Sequence, residues 1–153
     1  MTFKGVTVSL LGMGEDRELI ERMYRKMMMS RAGEPRESAR PTCPGGIVML
    51  SNTNFTASIR RCQASVVDFY ADWCIPCRIM EPILNKLAQV FAGKVFFGRV
   101  DVDAYPEVAA EYGVMSIPTT ILFKDGEEVY RVIGAVDYNT MRRYVEIYLG
   151  VKP

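Results

Sequence analysis

The sequence contains no histidine. That excludes Ser-His-Asp and Cys-His nucleophilic sites, His-Glu-x-x-His zinc sites and any imidazole general base. Chemistry is left to carboxylates, Lys, Tyr, Ser and four cysteines. Four cysteines in 153 residues are too few for a secreted scaffold built on disulfides, and a chain this long can bury a core without one. An excess of one charge is also lacking. The 19 basic and 18 acidic residues leave a formal +1, so no nucleic-acid partner is expected. No apolar run approaches the ~18 residues of a membrane span, and no membrane partner is expected. Repeats and low-complexity tracts are missing too. A leader peptide is not expected. Gly5 to Gly14 is only mildly apolar, holds Thr7, Ser9 and three glycines, and leads to no small-x-small cleavage site. Glu15, Asp16, Glu18 and Glu21 argue against a transit peptide, which avoids acidic residues. A reducing cytoplasm is the expected location.

What is present is a globular balance of 49% apolar and 24% charged residues. Residues 3–11 carry a short alternating stretch that predicts a strand. From about 15 to 31 the period becomes helical, with Leu19, Ile20, Met23, Tyr24, Met27 and Met28 in one stripe. Such a stripe packs against a domain or frays; the sharper reading is a docking helix, since Met-lined faces adapt to varied shapes. Its polar face mixes Glu with Arg, which disfavours adsorption to a membrane. Residues 32–44, with Gly33, Pro35, Pro41 and Pro44 among charges, read as a linker. Residues 1–44 are therefore expected to be an extension, and 45–153 the main domain.

In that domain strand and helix signals alternate. Strands are predicted at 47–50, 65–71, 95–102, 119–123 and 128–133, and helices up to Arg61 and at about 76–91, 107–112 and 140–149. Asn52 or Asn54 is the expected cap of the first of these helices. Lys124-Asp125-Gly126 between the last two strands signals a hairpin. The pattern predicts an α/β fold: a central mixed β-sheet flanked by helices on both faces, preceded by a short extension with one helix.

Trp73-Cys74-Ile75-Pro76-Cys77 directly follows a buried strand and opens a helix. Cys74 falls at the helix N-terminus, where free N–H groups and the peptide dipoles stabilise a thiolate. Cys77 lies one turn on along the same side. Cys74 is then expected to be the exposed nucleophile and Cys77 the deeper resolving thiol. Pro76 fixes the first helical turn. A zinc site would need Cys43 and Cys62 as further ligands, and a merely structural disulfide is the other alternative. Asp68 interrupts the apolar run of its strand six residues before Cys74. Burial there raises its proton affinity, so it can manage the proton of Cys77; the plainer reading is a core Asp satisfied by its neighbours. Pro118 at a strand start is compatible with a cis or a trans bond. For Cys43 and Cys62, free thiols are one reading, and deleting both is expected to leave turnover intact.

Six separated motifs together resemble the thioredoxin family: Asp68-Phe-Tyr-Ala-Asp-Trp-Cys-Ile-Pro-Cys77, Glu81-Pro-Ile83, Val100-Asp-Val-Asp103, Tyr112-Gly-Val-Met-Ser-Ile-Pro-Thr119, Leu122-Phe-Lys-Asp-Gly126 and Ile133-Gly-Ala135. The resemblance runs from about Gly45 to Gly150 and implies the thioredoxin fold with protein-disulfide reductase activity. It implies that Cys74 attacks, Cys77 resolves and Asp68 manages the proton. It implies a cis Ile117–Pro118 bond beside the dithiol and a substrate face of Trp73, Ile75, Pro76, Ile117, Pro118, Ile133 and Gly134, with Ile117 backbone pairing to an extended target. The implied partners are a thioredoxin reductase-type electron donor and disulfide-containing proteins. The dithiol itself is the redox centre, with no metal or organic cofactor, in a monomer. The sequence departs from the family in Ile75, where Gly is usual, in Arg99, where Lys is common, and in Tyr70, where Trp is common. A disulfide oxidase or isomerase on the same fold is the alternative enzyme, and a metal-binding or scaffold module the alternative outside enzymes.

Overall fold

The computed structural model describes residues 17–25 and 43–153. The chain divides between Pro41 and Thr42 into two units. In the first, residues 17–25 form a helix, α1, with Leu19, Ile20, Met23 and Tyr24 exposed. That agrees with the helical period of the sequence. The strand expected at 3–11, the stripe positions Met27 and Met28, and positions 32–42 of the expected linker lie outside the described residues.

The second unit runs β1 (Ile47–Leu50), α2 (Phe55–Arg61), β2 (Ala64–Tyr70), α3 (Ile75–Val90), β3 (Val95–Asp101), α4 (Pro106–Glu111), β4 (Thr119–Lys124), β5 (Glu127–Ile133) and α5 (Tyr138–Leu149). The strands form one five-stranded sheet in the order β1-β3-β2-β4-β5. β1 and β2 run parallel to β3 on either side of it, whereas β4 is antiparallel to β2 and to β5. The mixed sheet follows from the connections: helices return the chain between the parallel strands, and a tight turn joins β4 to β5. In that turn Asp125 and Gly126 both take positive φ, the backbone that a right-twisted hairpin needs.

Alternation along β2 divides the core. Val66 faces a cluster with Met80, Leu84 and Leu87 of α3 and Met141, Val145 and Leu149 of α5. Val67 and Phe69 face a second cluster with Phe55 and Ile59 of α2 and Val108 of α4. Phe55, Phe69, Tyr112 and Phe123 interlock there, with Phe55 and Tyr112 ring centroids 4.9 Å apart. Both faces of the sheet are covered, so all seven residues of β2 are buried.

Two details differ from the sequence reading. Asn54 is the N-cap of α2, but its side chain makes no cap bond; its Oδ1 instead accepts from the Ser51 N–H at 2.7 Å. α5 begins at Tyr138, ahead of the expected 140, because Asp137 accepts from the Thr140 N–H at 3.1 Å.

Candidate active site

β2 ends at Tyr70 and α3 starts at Ile75, so the intervening turn stands at the carboxyl end of the sheet's central strand. Cys74 is the N-cap of α3 and has extended backbone angles. The Cys77 N–H donates to Cys74 Sγ at 3.3 Å. This is one of the helix's unpaired N–H groups, and it points at the sulfur that has to become anionic. The two cysteines are joined as a disulfide with Cα atoms 5.2 Å apart. Pro76 sits in the first turn, where its missing N–H costs no hydrogen bond.

The expected exposure of Cys74 needs correction. Cys74 is 4% exposed against 1% for Cys77, so the order of depth is as predicted but both are buried. Its neighbours take up the surface. Trp73 and Ile75 are 67% and 70% exposed, and Pro76 is exposed beside them. The Ile117 carbonyl lies 3.9 Å from Cys74 Sγ, within reach of its S–H when reduced. The Ile117–Pro118 bond is cis. Ile117 is half-buried, whereas Pro118 is buried and supports the face from behind. Gly134, at φ +91°, donates to the Pro118 carbonyl at 2.8 Å and so brings the end of β5, with its exposed Ile133, beside that loop. The sequence reading missed Asp103, which accepts from Trp73 Nε1 at 2.8 Å and orients the indole. It also missed Met115, which is almost fully exposed two residues from Ile117. An exposed Met in a motif loop was the available signal.

Asp68 shares the face of Val66, the face covered by α3, and is buried. Parallel register sets it opposite Arg99 on β3, and antiparallel register opposite Thr120 on β4. Arg99 Nε donates to Asp68 Oδ2 at 3.2 Å, and its Nη1 lies 3.6 Å from the Glu81 carboxylate. The guanidinium also stacks 3.7 Å from the centre of the Tyr70 ring. Among the described residues, Asp68 Oδ1 and Thr120 Oγ1 are buried without a hydrogen-bond partner. Burial pushes the Asp68 carboxyl up from 3.8 to about 6, while Arg99 pulls it down. Desolvation wins over the ion pair, so Arg99 moderates the shift without cancelling it. Tyr70, Asp72, Cys77, Arg78, Glu81 and Arg99 line a cleft of about 380 Å³. The cleft therefore runs along the Cys77 side of the disulfide and the Arg99 ion pairs. Sequence alone did not bring Arg78 and Glu81 to this cleft.

Cys43 and Cys62, whose state the sequence leaves open, form a second disulfide, with Cα atoms 5.9 Å apart. The four sulfurs thus pair two and two. Among the described residues, no cluster of three or more His, Cys, Asp or Glu could hold a metal ion.

Comparison with known proteins agrees with this geometry. The family model described as Thioredoxin matches residues 46–147. The chain is 39% identical over 105 residues to the chloroplastic M-type thioredoxin of Zea mays, covering 68% of this chain and 63% of that protein. It is 41% identical over 103 residues to the thioredoxin of Staphylococcus saprophyticus, covering 67% of this chain and 98% of that one. The solved structure of a mutant thioredoxin from Halobacterium salinarum superposes with a TM-score of 0.67 at 32% identity, over 74% of this chain and 99% of that one. The chain spans less than two thirds of the length of the plant relatives, 63% and 60% for those of Zea mays and Triticum aestivum.

Proposed function

The chain belongs to the thioredoxin family, and on that premise we propose that it is a protein-disulfide reductase working by dithiol–disulfide exchange. Residues 45–153 form the catalytic domain and residues 1–44 an extension. The observation that carries the reading is the seat of Cys74 at the N-cap of α3, with the Cys77 N–H 3.3 Å from its sulfur.

In the reduced protein that N–H and the α3 dipoles favour the Cys74 thiolate. The thiolate attacks one sulfur of a target disulfide and forms a mixed disulfide, and the other target sulfur leaves as a thiol. The Cys77 thiol then loses its proton and attacks Cys74 Sγ. The Cys74–Cys77 disulfide closes, and the second target thiol departs. Two electrons and two protons have passed to the target. Asp68, with a carboxyl titrating at about 6, is mostly ionised at neutral pH yet basic enough to take the Cys77 proton. Trp73, Ile75, Pro76, Ile117, Ile133 and Gly134 form the docking face, with Pro118 behind it. The Ile117 backbone is offered to an extended target segment.

Family members work through their own cysteine pair, and they generally receive electrons from a thioredoxin reductase and reduce disulfide-containing proteins. Both sulfurs and the whole docking face belong to one chain, so a monomer suffices. Turnover as a reductase needs a reducing compartment, and the cytoplasm is the one we propose.

Cys74→Ser tests the reading directly: disulfide reduction should be lost, and substantial residual turnover would refute Cys74 as nucleophile. Equilibration against glutathione buffers of set ratio separates reductase from oxidase or isomerase. A dithiol that persists only under strongly reducing conditions supports the reductase, and one stable in mildly oxidising buffer supports the alternative.

A further inference from the structure

Cys62 ends α2 and is nearly fully buried among Ile59, Val67 and Phe123. Cys43 is half-buried against the same cluster and lies in neither helix nor strand. Cys62 stands two residues before β2, and Cys74 four residues after it. β2 spans seven residues, or roughly 20 Å. The two disulfides therefore occupy opposite ends of the sheet. Within one molecule the sulfurs of one pair cannot reach those of the other.

We propose that Cys43–Cys62 is a second redox couple, a thiol–disulfide modification site reduced in trans by the Cys74/Cys77 dithiol of another copy of the chain. The inference rests on the exchange chemistry proposed above for its electron donor. The sulfur open to attack is that of Cys43, because it is the less buried of the pair. Cys74 Sγ of the donor bonds to Cys43 Sγ, the Cys43–Cys62 bond breaks, and Cys62 leaves and takes up a proton. Donor Cys77 then attacks Cys74 Sγ and releases Cys43 as a thiol. One donor dithiol becomes a disulfide and one acceptor disulfide becomes two thiols, so two electrons and two protons move and no outside oxidant or reductant takes part. The state of the couple controls the neighbouring edge. Among the described residues β1 has a strand partner only in β3, and the disulfide ties the chain just ahead of it to the end of α2. Oxidation holds β1 on the sheet, and reduction loosens it.

Two full-length proteins isolate the two couples. The donor is Cys43→Ser/Cys62→Ser, reduced with dithiothreitol and desalted. The acceptor is Cys74→Ser/Cys77→Ser, labelled with ¹⁵N to distinguish its mass. Mixed at equal concentration, then denatured and alkylated with N-ethylmaleimide, the acceptor should go from no alkylated thiols to two as the donor loses two. In hydrogen exchange, Ile47–Leu50 of the reduced acceptor should open at least about tenfold faster than in the oxidised form. An acceptor isolated in air with two alkylatable thiols overturns the inference, and so does unchanged exchange at Ile47–Leu50. A donor that reduces a standard disulfide dye but leaves the acceptor oxidised overturns the inference alone. A donor that reduces neither overturns the proposed function and the inference with it.

Discussion

Asp68→Asn keeps the shape of the side chain and removes its titration. The wild-type carboxyl titrates at about 6 in the folded protein against 3.8 when unperturbed. Below pH 3.8 it is neutral whether the chain is folded or unfolded, so wild type and variant should be about equally stable. Between pH 3.8 and about 6 the folded protein holds a proton that the unfolded chain has lost. The native state then binds more protons, and stability falls as pH rises. Above about 6 the group is ionised in both states and the whole cost of burying the charge is present. At 1.36 kcal/mol per pKa unit, the difference between 3.8 and about 6 makes that cost about 3 kcal/mol. The variant should therefore gain roughly 3 kcal/mol on wild type at about pH 8, of order 10 °C in Tm, and roughly nothing near pH 3.5. Urea titrations of both proteins across this range, with m-values compared, provide the measurement. A stability gap independent of pH would refute the reasoning. So would a wild type that gains on the variant as pH rises, because the Arg99 ion pair would then outweigh desolvation.

The remaining expectations concern the same residues. Cys77→Ser should accumulate mixed disulfides between Cys74 and its targets, and a clean mass spectrum after trapping would remove Cys77 as the resolving thiol. Arg99→Met takes away the cation that pulls Asp68 down, so the Asp68 carboxyl should titrate above about 6 and the acidic limb of the pH–rate profile should move up with it; an NMR titration of the carboxyl carbon reads this directly. Cys43→Ser/Cys62→Ser opens a loop closed across a sequence separation of 19 and should cost on the order of 3 kcal/mol of stability in denaturant melts while turnover stays intact.

The elements of the main domain were legible because each carries its own period. β2 is a run of apolar residues and α3 a stripe at helical spacing, and both lie within a residue or two of where those patterns place them. Asp68 was legible as a carboxylate inside an apolar strand. What it meets was not, because Arg99 and Thr120 reach it through register between strands far apart in the chain. The stacking of Arg99 on Tyr70 and its approach to Glu81 have the same origin. Cys43 and Cys62 looked unrelated in sequence, one in a linker and one at a helix end. Their pairing depends on β1 lying parallel to β3 at the edge of the sheet, which sets the start of β1 and the start of β2 at the same end. The exposure of Cys74 was overestimated because helix position reports the field at a sulfur and not how much of it neighbouring side chains cover.

β2 is the middle strand of five, paired along both edges and shielded above and below. The catalytic turn leaves from that strand and enters α3 at once. Mounting on the most heavily paired strand limits how far either sulfur can move toward a partner. Whatever bending an encounter needs must come from the other molecule. For the exchange proposed above, selectivity among target disulfides then depends on how readily each target segment detaches from its own fold and straightens alongside Ile117.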